Sequence, residues 1–435
     1  MPRTIRSNLK NGGHCIKLIH SKPPMKKNNF LFYTDWNNSV TGSAPSLAGT
    51  LASFATEFGL SGNVWHHWLT YNLMMHDNAF TLACERREVL PDSTLVKLAE
   101  RDLGIFMELF KTKESDFDED EGLLPLMLDY MAPYDCECIT DAGRRIKELS
   151  CRLAEAEDIK EFTRTLIDHY EKHGAGMYGL YNAFRVDPAT GSEAEFKLVP
   201  VADSADVSLD DLIGYESQKQ TLRDNTEAFV NGHFANNVLL YGDSGTGKST
   251  SVHALMHEYS DRGLRLIEVS KTDRSRLPQI LSAIKRRNYR FILFLDDLSF
   301  EENESDYKEL KAMLEGALET RSDKVLIYAT SNRRHLIRET WGDRSDMEYH
   351  EDVHRSDTME EKLSLASRFG VTIYYPKPDP REYLEIVRSL AARKGIELSG
   401  KELEDAARKW ELRHGGMSGR TASQLITWLD GTEKE

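Results

Sequence analysis

The chain has 435 residues, a length that predicts about three folding units at roughly 150 residues each. Hydrophobic residues make up 40% of it and charged residues 29%, which excludes the disordered and fibrous classes. The formal charge of −15 at pH 7 argues against a broadly basic nucleic-acid-binding surface, although a local basic groove remains open. No apolar run reaches the 18 residues expected of a membrane-spanning helix.

Cysteine usage and the amino terminus bear on location. The five cysteines are scattered and form no Cys-x-x-Cys pair, which is typical of a reducing cytosol and disfavours a zinc site. We therefore expect a cytoplasmic protein.

The amino terminus is basic. The first 34 residues contain seven Lys or Arg and no acid, as transit peptides do, but they lack an apolar signal-peptide core. A disordered basic tail over residues 1–44, or translation from Met25, is the interpretation we favour.

Helical periodicity dominates residues 45–186. Apolar side chains mark one face of a helix that begins at Asp92 or Ser93, and the pattern recurs from Ile159 to Tyr170. Segment 173–179 carries three glycines but follows no strand, so it predicts a helix stop and turn. No catalytic constellation stands out, and we expect a mainly α-helical adaptor or packing domain, followed by a linker over residues 187–206.

The strongest motif lies in the second half of the chain. The apolar run 238–241 leads into residues 242–249, which match G-x-x-x-x-G-K-[ST] in full, and an amphipathic helix is predicted after them. Glycines let backbone N–H groups face a phosphate, and the helix directs its positive dipole end at the same place. The predicted phosphate-contacting residues are Gly242, Asp243, Ser244, Gly245, Thr246, Gly247, Lys248, Ser249 and Thr250.

Four side chains predict a bound nucleoside triphosphate with Mg²⁺. Lys248 supplies a point charge for the β- and γ-phosphates, and the Ser249 hydroxyl is a hard oxygen ligand for Mg²⁺. The apolar run 291–295 ends in Asp296 and Asp297, and a carboxylate after a central parallel strand faces the ligand crevice. We expect Asp296 to be the Mg²⁺-side acid and Asp297 to polarise the attacking water.

Further strands predicted at 264–269, 325–329 and 371–375 alternate with helices, which indicates an α/β, doubly wound parallel sheet. This order of motifs resembles the AAA+ ATPase superfamily, over residues 207–435. It is closest to an uncharacterised group of bacterial AAA+ ATP-binding proteins with a helical amino-terminal half. The resemblance implies a five-stranded AAA+ sheet in a nucleotide-binding domain over residues 207–376. A C-terminal helical lid over residues 377–435 would close over the nucleotide.

The resemblance also implies the roles of five further residues. Ile213 and Gly214 lie in a segment similar to the one that contacts adenine. Asn332, in a segment similar to sensor 1, would hydrogen-bond the γ-phosphate or orient the water. Arg368, in a segment similar to the arginine-finger box, would reach a neighbour's γ-phosphate in trans, which implies a homo-oligomer. Arg420 lies in a segment similar to sensor 2.

The chain departs from the AAA+ pattern in its acid pair. Asp297 stands where the superfamily has glutamate, so the second carboxylate is one methylene shorter. This puts rapid hydrolysis in doubt, and Glu301 or Glu302 is a candidate substitute.

Two other segments also depart from the AAA+ pattern. Segment 270–276 lacks the aromatic residue with which protein-threading relatives grip a polypeptide, which disfavours an unfoldase role. The acidic insertion over residues 343–364 is either a switch or a solvated loop.

We expect a Mg²⁺-dependent ATPase that acts as an oligomer and remodels an unknown partner through its helical half. One alternative is a slow or non-hydrolysing ATP-dependent switch. Another is a nucleic-acid-associated loader, because basic residues cluster near the sheet edge, although a solvated helix face explains them as well. These residues are Lys271, Arg274, Arg276, Lys285, Arg286 and Arg287.

Overall fold

The computed structural model describes residues 47–90, 92–113, 125–132, 140–187, 197–201, 207–298, 310, 314, 323–332, 368–396 and 398–432. The chain divides into two units, residues 1–181 and 182–435. The basic tail, the acidic insertion, and Glu301 and Glu302 lie outside the described residues. None of the helices within these ranges is long and apolar enough to cross a bilayer.

The first unit is built from helices. They are α1 (Leu47–Phe58), α2 (Val64–Met75), α3 (Ala79–Glu85), α4 (Thr94–Phe110), α5 (Asp141–Ala154), α6 (Ile159–His173) and α7 (Met177–Leu180). Helix α4 confirms the predicted pattern, because the Ser93 hydroxyl accepts from the N–H of Val96 at 3.4 Å and the apolar face is buried. The core includes Trp65, whose indole N–H donates to the carbonyl oxygen of Leu109 at 3.0 Å.

Helix α6 ends at the predicted stop. Its C-cap is Gly174 at a φ of 83°, and Gly176 follows at 65°. A Cβ on Gly176 would lie 2.7 Å from a carboxylate oxygen of Asp77, so a side chain there would displace Asp77 and would also strain the left-handed backbone. The glycines of this segment therefore serve a tight turn between α6 and α7.

The second unit is built around one sheet. Its strands are β1 (Ala183–Val186), β2 (Leu198–Pro200), β3 (Val238–Gly242), β4 (Leu264–Glu268), β5 (Arg290–Leu295), β6 (Val325–Ser331) and β7 (Val371–Tyr375). Their order in the sheet is β2-β1-β4-β5-β6-β3-β7. All neighbouring strands are parallel except β1 and β2. The described residues thus confirm the α/β class, and the five predicted strands are all present.

The prediction of five strands was wrong by two, because β1 and β2 extend the sheet to seven. Strand β1 falls in residues assigned to the helical domain, and β2 falls in residues assigned to the linker. Strand β1 pairs with β4 through Phe184 and Ile267, and β2 pairs with β1 through Val199 and Arg185. Strands of three and four residues are too short to show alternation, and the partner of β1 lies far along the chain.

Helices of the second unit are α8 (Glu216–Val230), α9 (Lys248–Tyr259), α10 (Leu277–Ile284), α11 (Pro380–Lys394), α12 (Gly400–Arg413) and α13 (Gly419–Thr432). The last three pack into a C-terminal bundle with its own core, which includes Tyr383, Ala407 and Leu425. Helix α11 begins as predicted: Asp379 caps the N–H of Glu382 at 2.9 Å, and the Glu382 carboxylate accepts from the N–H of Asp379 at 2.8 Å. We call these three helices the C-terminal bundle.

Candidate nucleotide-binding site

Residues 242–249 join the end of β3 to the start of α9. A Cβ on Gly242 would lie 2.1 Å from the carbonyl oxygen of Tyr375, and one on Gly247 would lie 2.1 Å from a methyl carbon of Leu212. Both glycines also have positive φ, at 138° and 90°. A side chain at Gly242 would clash with backbone, and one at Gly247 would displace Leu212 and strain the left-handed backbone, so the two glycines keep the backbone of the loop open to a ligand.

Lys248 is the first residue of α9, and its ammonium group has three acceptors. The Nζ atom donates to the carbonyl oxygens of Gly242 at 3.0 Å and Asp243 at 2.6 Å, and to Oδ1 of Asn332 at 3.1 Å. Burial lowers the pKa of this ammonium, and the nearby carboxylates, Asp243 foremost, oppose that shift. All three acceptors are uncharged oxygens, so an anionic phosphate would compete with them strongly.

Ser249 and Asp296 lie side by side at the carboxyl ends of β3 and β5. The Ser249 hydroxyl donates to Oδ1 of Asp296 at 2.6 Å. The Thr330 hydroxyl, at the end of β6, donates to the same carboxylate oxygen. Hydroxyl and carboxylate oxygens are the hard ligands that Mg²⁺ prefers.

Asp297 adopts a left-handed backbone, with a φ of 49°. This conformation costs on the order of 1–3 kcal/mol in a non-glycine residue, and it is found mainly where surrounding bonds enforce it. The amide of Asn332 donates to Oδ1 of Asp297 at 3.0 Å. Asn332 therefore connects Lys248 to Asp297.

The segment that precedes α8 lies between the phosphate loop and the C-terminal bundle. Leu212 approaches Gly247, and the next residue, Ile213, packs against the bundle core. Gly214 and Tyr215 both have positive φ, at 81° and 61°, and the Tyr215 hydroxyl donates to the carbonyl oxygen of Pro376 at 2.8 Å. This is where Ile213 and Gly214 were predicted to contact adenine.

The bundle also touches the phosphate loop directly. The N–H of Arg420 donates to the carbonyl oxygen of Gly245 at 3.2 Å. The N–H of Lys377, in the connection between β7 and α11, donates to Oδ2 of Asp243 at 3.2 Å. The guanidinium of Arg420 is exposed, and it is close enough to contribute to the lowered pKa of Lys248.

The structure gathers most of the predicted site residues at one edge of the sheet, with one exception. Lys248, Ser249, the acid pair, Asn332 and Arg420 surround the loop. Arg368 is exposed and precedes β7, so it lies at the amino ends of the parallel strands, opposite the loop. Among the remaining loop residues, Asp243, Ser244 and Thr250 are exposed, whereas the Thr246 hydroxyl is bonded to the carbonyl oxygen of Asp243 at 2.9 Å.

Thr330 and Lys377 have no role predicted from the sequence. Thr330 lies in the segment similar to sensor 1, and that similarity could have pointed to it. Its bond to Asp296, however, joins the ends of two different strands, which a local pattern does not show. Lys377 contributes a backbone N–H, so its residue type carried no signal. A cleft of about 490 Å³ adjoins Asp296 on the side of β1 and β4, and its walls include Arg185 and Glu268.

The donor set and the loop geometry fit ATP with Mg²⁺. The glycines leave space where side chains would clash, Lys248 offers the cation, and Ser249 and Asp296 offer oxygen ligands. Among the described residues, no group of three or more His, Cys, Asp or Glu is arranged to hold a metal by itself. Two protein ligands are enough for Mg²⁺ beside a nucleotide, because phosphates and waters complete its coordination.

Two solved structures are among those to which the chain is similar. The chain resembles the Thermotoga maritima RuvB Holliday junction branch migration motor with a TM-score of 0.37 and 20% identity, over 51% of this chain and 63% of that one. It resembles the FIGL-1 AAA domain in complex with ADP with a TM-score of 0.37 and 20% identity, over 52% of this chain and 74% of that one.

Sequence comparisons give a curated relative and a family. The replication factor C large subunit of Methanococcus maripaludis (strain C5) is 34% identical over 74 residues, which are 17% of this chain and 15% of that protein. The chain thus spans less than two thirds of the length of either this protein or RuvB. Residues 181–433 match the family described as protein of unknown function (DUF815). As this match spans more than half of the chain and contains the phosphate loop, the chain belongs to the DUF815 family.

Proposed function

We propose that this protein binds ATP with Mg²⁺ at residues 242–249 and hydrolyses it to ADP and phosphate. The observation that carries the proposal is the hydrogen-bonded chain from Lys248 through Asn332 to Asp297. This chain lies beside the pair formed by Ser249 and Asp296. A cation for phosphates, two metal ligands and a second carboxylate thus share one edge of the sheet.

Each residue has a defined task in this reaction. Lys248 would exchange its backbone acceptors for the β- and γ-phosphate oxygens, while Ser249 and Asp296 would hold the Mg²⁺ ion. The ion, when bound, neutralises charge on the phosphate oxygens. Asp297 would take a proton from the attacking water as the bond between the γ-phosphorus and the bridging oxygen breaks. Asn332 would hold the carboxylate of Asp297 or a γ-phosphate oxygen.

The C-terminal bundle would act as a lid that senses the nucleotide. The contact of Arg420 with Gly245 supports this role, as does the contact of Lys377, in the connection to the bundle, with Asp243, since both loop residues belong to the segment that would receive the phosphates. Arg420 would add positive charge when the lid closes. Movement of the bundle would transmit the state of the nucleotide to a protein partner through the helical half.

The test of this proposal is phosphate release with Mg²⁺ and with EDTA. We expect Mg²⁺-dependent release by the wild type and a loss of about 100-fold or more in Asp297→Ala, with ATP binding retained. Glu385→Ala is the matched control, because Glu385 is an exposed acid on α11. Equal rates with and without Mg²⁺, or equal rates in Asp297→Ala and the wild type, would contradict the proposal.

We also propose that the protein acts as a homo-oligomer, in which Arg368 serves as an arginine finger. Since Arg368 lies opposite its own loop, it would act only on the nucleotide of a neighbouring copy. We expect ATP-dependent self-association, measured by light scattering, that persists in Arg368→Ala while turnover is lost. A monomer at every ATP concentration would exclude a finger in trans.

A slow or non-hydrolysing ATP switch is the second candidate. It is favoured by the short carboxylate of Asp297, which is engaged by Asn332 rather than directed freely at a water site. This candidate predicts tight ATP binding and phosphate release that Asp297→Ala hardly changes. The same phosphate-release assay therefore separates the two candidates.

A nucleic-acid loader has weaker support. Of the six clustered basic residues, Arg274 and Arg287 are buried, at 3% and 5% exposure. Arg276 forms an ion pair, since its Nε atom lies 3.9 Å from Oδ1 of Asp273. The cluster therefore offers less exposed positive charge than its sequence indicates. Salt-sensitive DNA binding would support this candidate.

We further propose a cytoplasmic location, supported by the low cysteine content, and no membrane partner.

A further inference from the structure

Thr330 makes three hydrogen bonds to the strand end that carries the acid pair. Its hydroxyl donates to Oδ1 of Asp296 and accepts from the N–H of Asp297 at 2.9 Å. Its carbonyl oxygen accepts from the N–H of Leu298 at 2.6 Å. Thr330 itself is 2% exposed. A buried hydroxyl with one fixed donor and one fixed acceptor has little freedom to rotate.

These bonds bracket the strained residue of the site. Asp297 has the left-handed φ of 49°, and Thr330 binds the N–H of Asp297 and the N–H of Leu298, one on each side of its Cα. Such a backbone persists where the surroundings over-determine it. The turn directs the Asp297 carboxylate toward the amide of Asn332.

The position of Asp296 depends on the same hydroxyl. One oxygen of its carboxylate accepts from Ser249, on the loop helix, and from Thr330, on β6. The Thr330 bond fixes the orientation of the carboxylate even when Ser249 changes partners. Residues that orient a metal ligand in this way typically change metal affinity by about 10- to 100-fold when they are removed.

We propose that Thr330 is the positioning residue of the acid pair, which aims Asp296 at Ser249 and holds the left-handed turn that points Asp297 at Asn332. The inference rests on the proposed function, because it assigns Thr330 a role in the same nucleotide site. Asp297 has a shorter side chain than glutamate, so the direction of its backbone determines where its carboxylate lies. Thr330 thus sets the geometry on which this chain's unusual Asp-Asp pair depends.

The first experiment measures the turn without any nucleotide. Hydrogen exchange of the free protein is followed by mass spectrometry on overlapping peptides that resolve the amides of Asp297 and Leu298. In Thr330→Val, which has nearly the same shape but no hydroxyl, we expect the Asp297 amide to exchange about 5-fold faster or more. In Thr330→Ser, which keeps the hydroxyl, exchange stays near the wild-type rate. Equal exchange in Thr330→Val and the wild type would overturn the proposal.

The second experiment measures the Mg²⁺ concentration that half-maximally strengthens ATP binding, which needs no turnover. We expect this concentration to rise about 10-fold or more in Thr330→Val and to change less than about 3-fold in Thr330→Ser. ATP affinity in EDTA stays unchanged, because Lys248 and the glycine loop are intact. An equal loss of affinity with and without Mg²⁺ would indicate general damage and would overturn the positioning role.

The two experiments separate failure of this inference from failure of the proposed function. If the wild type binds ATP no better with Mg²⁺, the proposed function fails, whereas the exchange result still decides whether Thr330 holds the turn. If Thr330→Val does not fold, as judged by circular dichroism, Thr330→Ala replaces it in the comparison with Thr330→Ser. The proposal then stands or falls on faster exchange in Thr330→Ala.

Discussion

Buried titratable side chains differ in their partners between the two units, as two histidines of the helical unit and one lysine of the α/β unit show. In the helical unit, His67 and His169 are 4% and 5% exposed, and Nδ1 of His67 and Nε2 of His169 have no hydrogen-bond partner. In the α/β unit, Lys248 is 6% exposed and its ammonium donates to three oxygens. The helical unit therefore accommodates these two histidines as neutral groups, whereas the loop accommodates a donor that can exchange its partners.

Burial shifts the pKa of the histidines and of Lys248 in the same direction, but only Lys248 has charged groups nearby that oppose the shift. Burial lowers the pKa of His67 to about 4 and that of His169 to about 3, and positive neighbours, Lys147 and His173 respectively, add to the effect. Neither histidine is thus charged near neutral pH. The pKa of Lys248 is also lowered by burial, but three carboxylates oppose the shift. A group held by partners in this way is suited to bind a phosphate.

The largest expected effect is acid destabilisation of the helical unit. Both folded-state pKa values lie below the unfolded value of about 6.5, so the unfolded state binds protons first as the pH falls. Each histidine therefore lowers the free energy of unfolding by about 1.4 kcal/mol per pH unit below 6.5, or about 5 kcal/mol for both between pH 6.5 and 4.5. Urea-dependent hydrogen exchange of amides in α6 measures this loss.

A matched pair of variants tests the assignment. His169→Phe keeps a ring against Tyr170, whose ring centroid lies 5.9 Å away, and should reduce the pH slope by about 1.4 kcal/mol per unit. His233→Phe changes an exposed histidine of the α/β unit and should leave the slope measured in the helical unit unchanged. If both variants kept the wild-type slope, the histidine explanation would be wrong.

The next effect concerns Lys248→Met. Loss of the charge-assisted bonds to phosphate removes about 3 kcal/mol of binding free energy, so ATP affinity should fall about 100-fold. The free energy of unfolding should stay within about 1 kcal/mol, because a buried ammonium is replaced by an apolar group of similar length. Calorimetric titration and urea unfolding measure the two quantities. Lys394→Met, at an exposed lysine of α11, is the control.

Two results would contradict this difference between Lys248 and the buried histidines. Retained ATP affinity in Lys248→Met would show that the loop is not a phosphate site. A large loss of stability would show instead that Lys248 is a packing residue, like the histidines of the helical unit.

Local patterns in the sequence predicted the loop and its flanking elements well. Strand β3, residues 242–249 and α9 follow one another along the chain, so glycine spacing and helical periodicity were sufficient. The contacts that complete the site join distant positions, such as Thr330 to Asp296 and Lys377 to Asp243. These bonds depend on strand order, which a single sequence does not encode as a local pattern. Strands β1 and β2 were missed because they are too short to show alternation, and because β1 pairs with β4, which lies far along the chain.

Tyrosine hydroxyls extend the comparison to smaller effects. The Tyr170 hydroxyl is buried and donates to the carbonyl oxygen of Leu73 at 2.8 Å. Tyr170→Phe should lower the free energy of unfolding of the helical unit by about 1 kcal/mol, because water cannot replace the lost donor. Leu73 keeps a weaker bond from the N–H of His76 at 3.4 Å, which limits the loss. Exchange of amides in α2 measures it, and an unchanged rate would contradict the assignment.

The smallest effect is expected for Tyr215→Phe in the α/β unit. Burial raises the pKa of Tyr215 to about 12, so its hydroxyl remains a donor near neutral pH, bonded to the carbonyl oxygen of Pro376. Tyr215 is half-buried, and its ring packs on Tyr375 at 5.1 Å, a contact that phenylalanine keeps. Water can therefore replace the lost donor, and the free energy of unfolding should fall by about 0.5 kcal/mol or less. Urea unfolding of the α/β unit, compared with the Tyr170→Phe result, measures this difference. A larger loss than in Tyr170→Phe would mean that this bond ties the C-terminal bundle to the sheet, and that partners in this unit serve stability as much as binding.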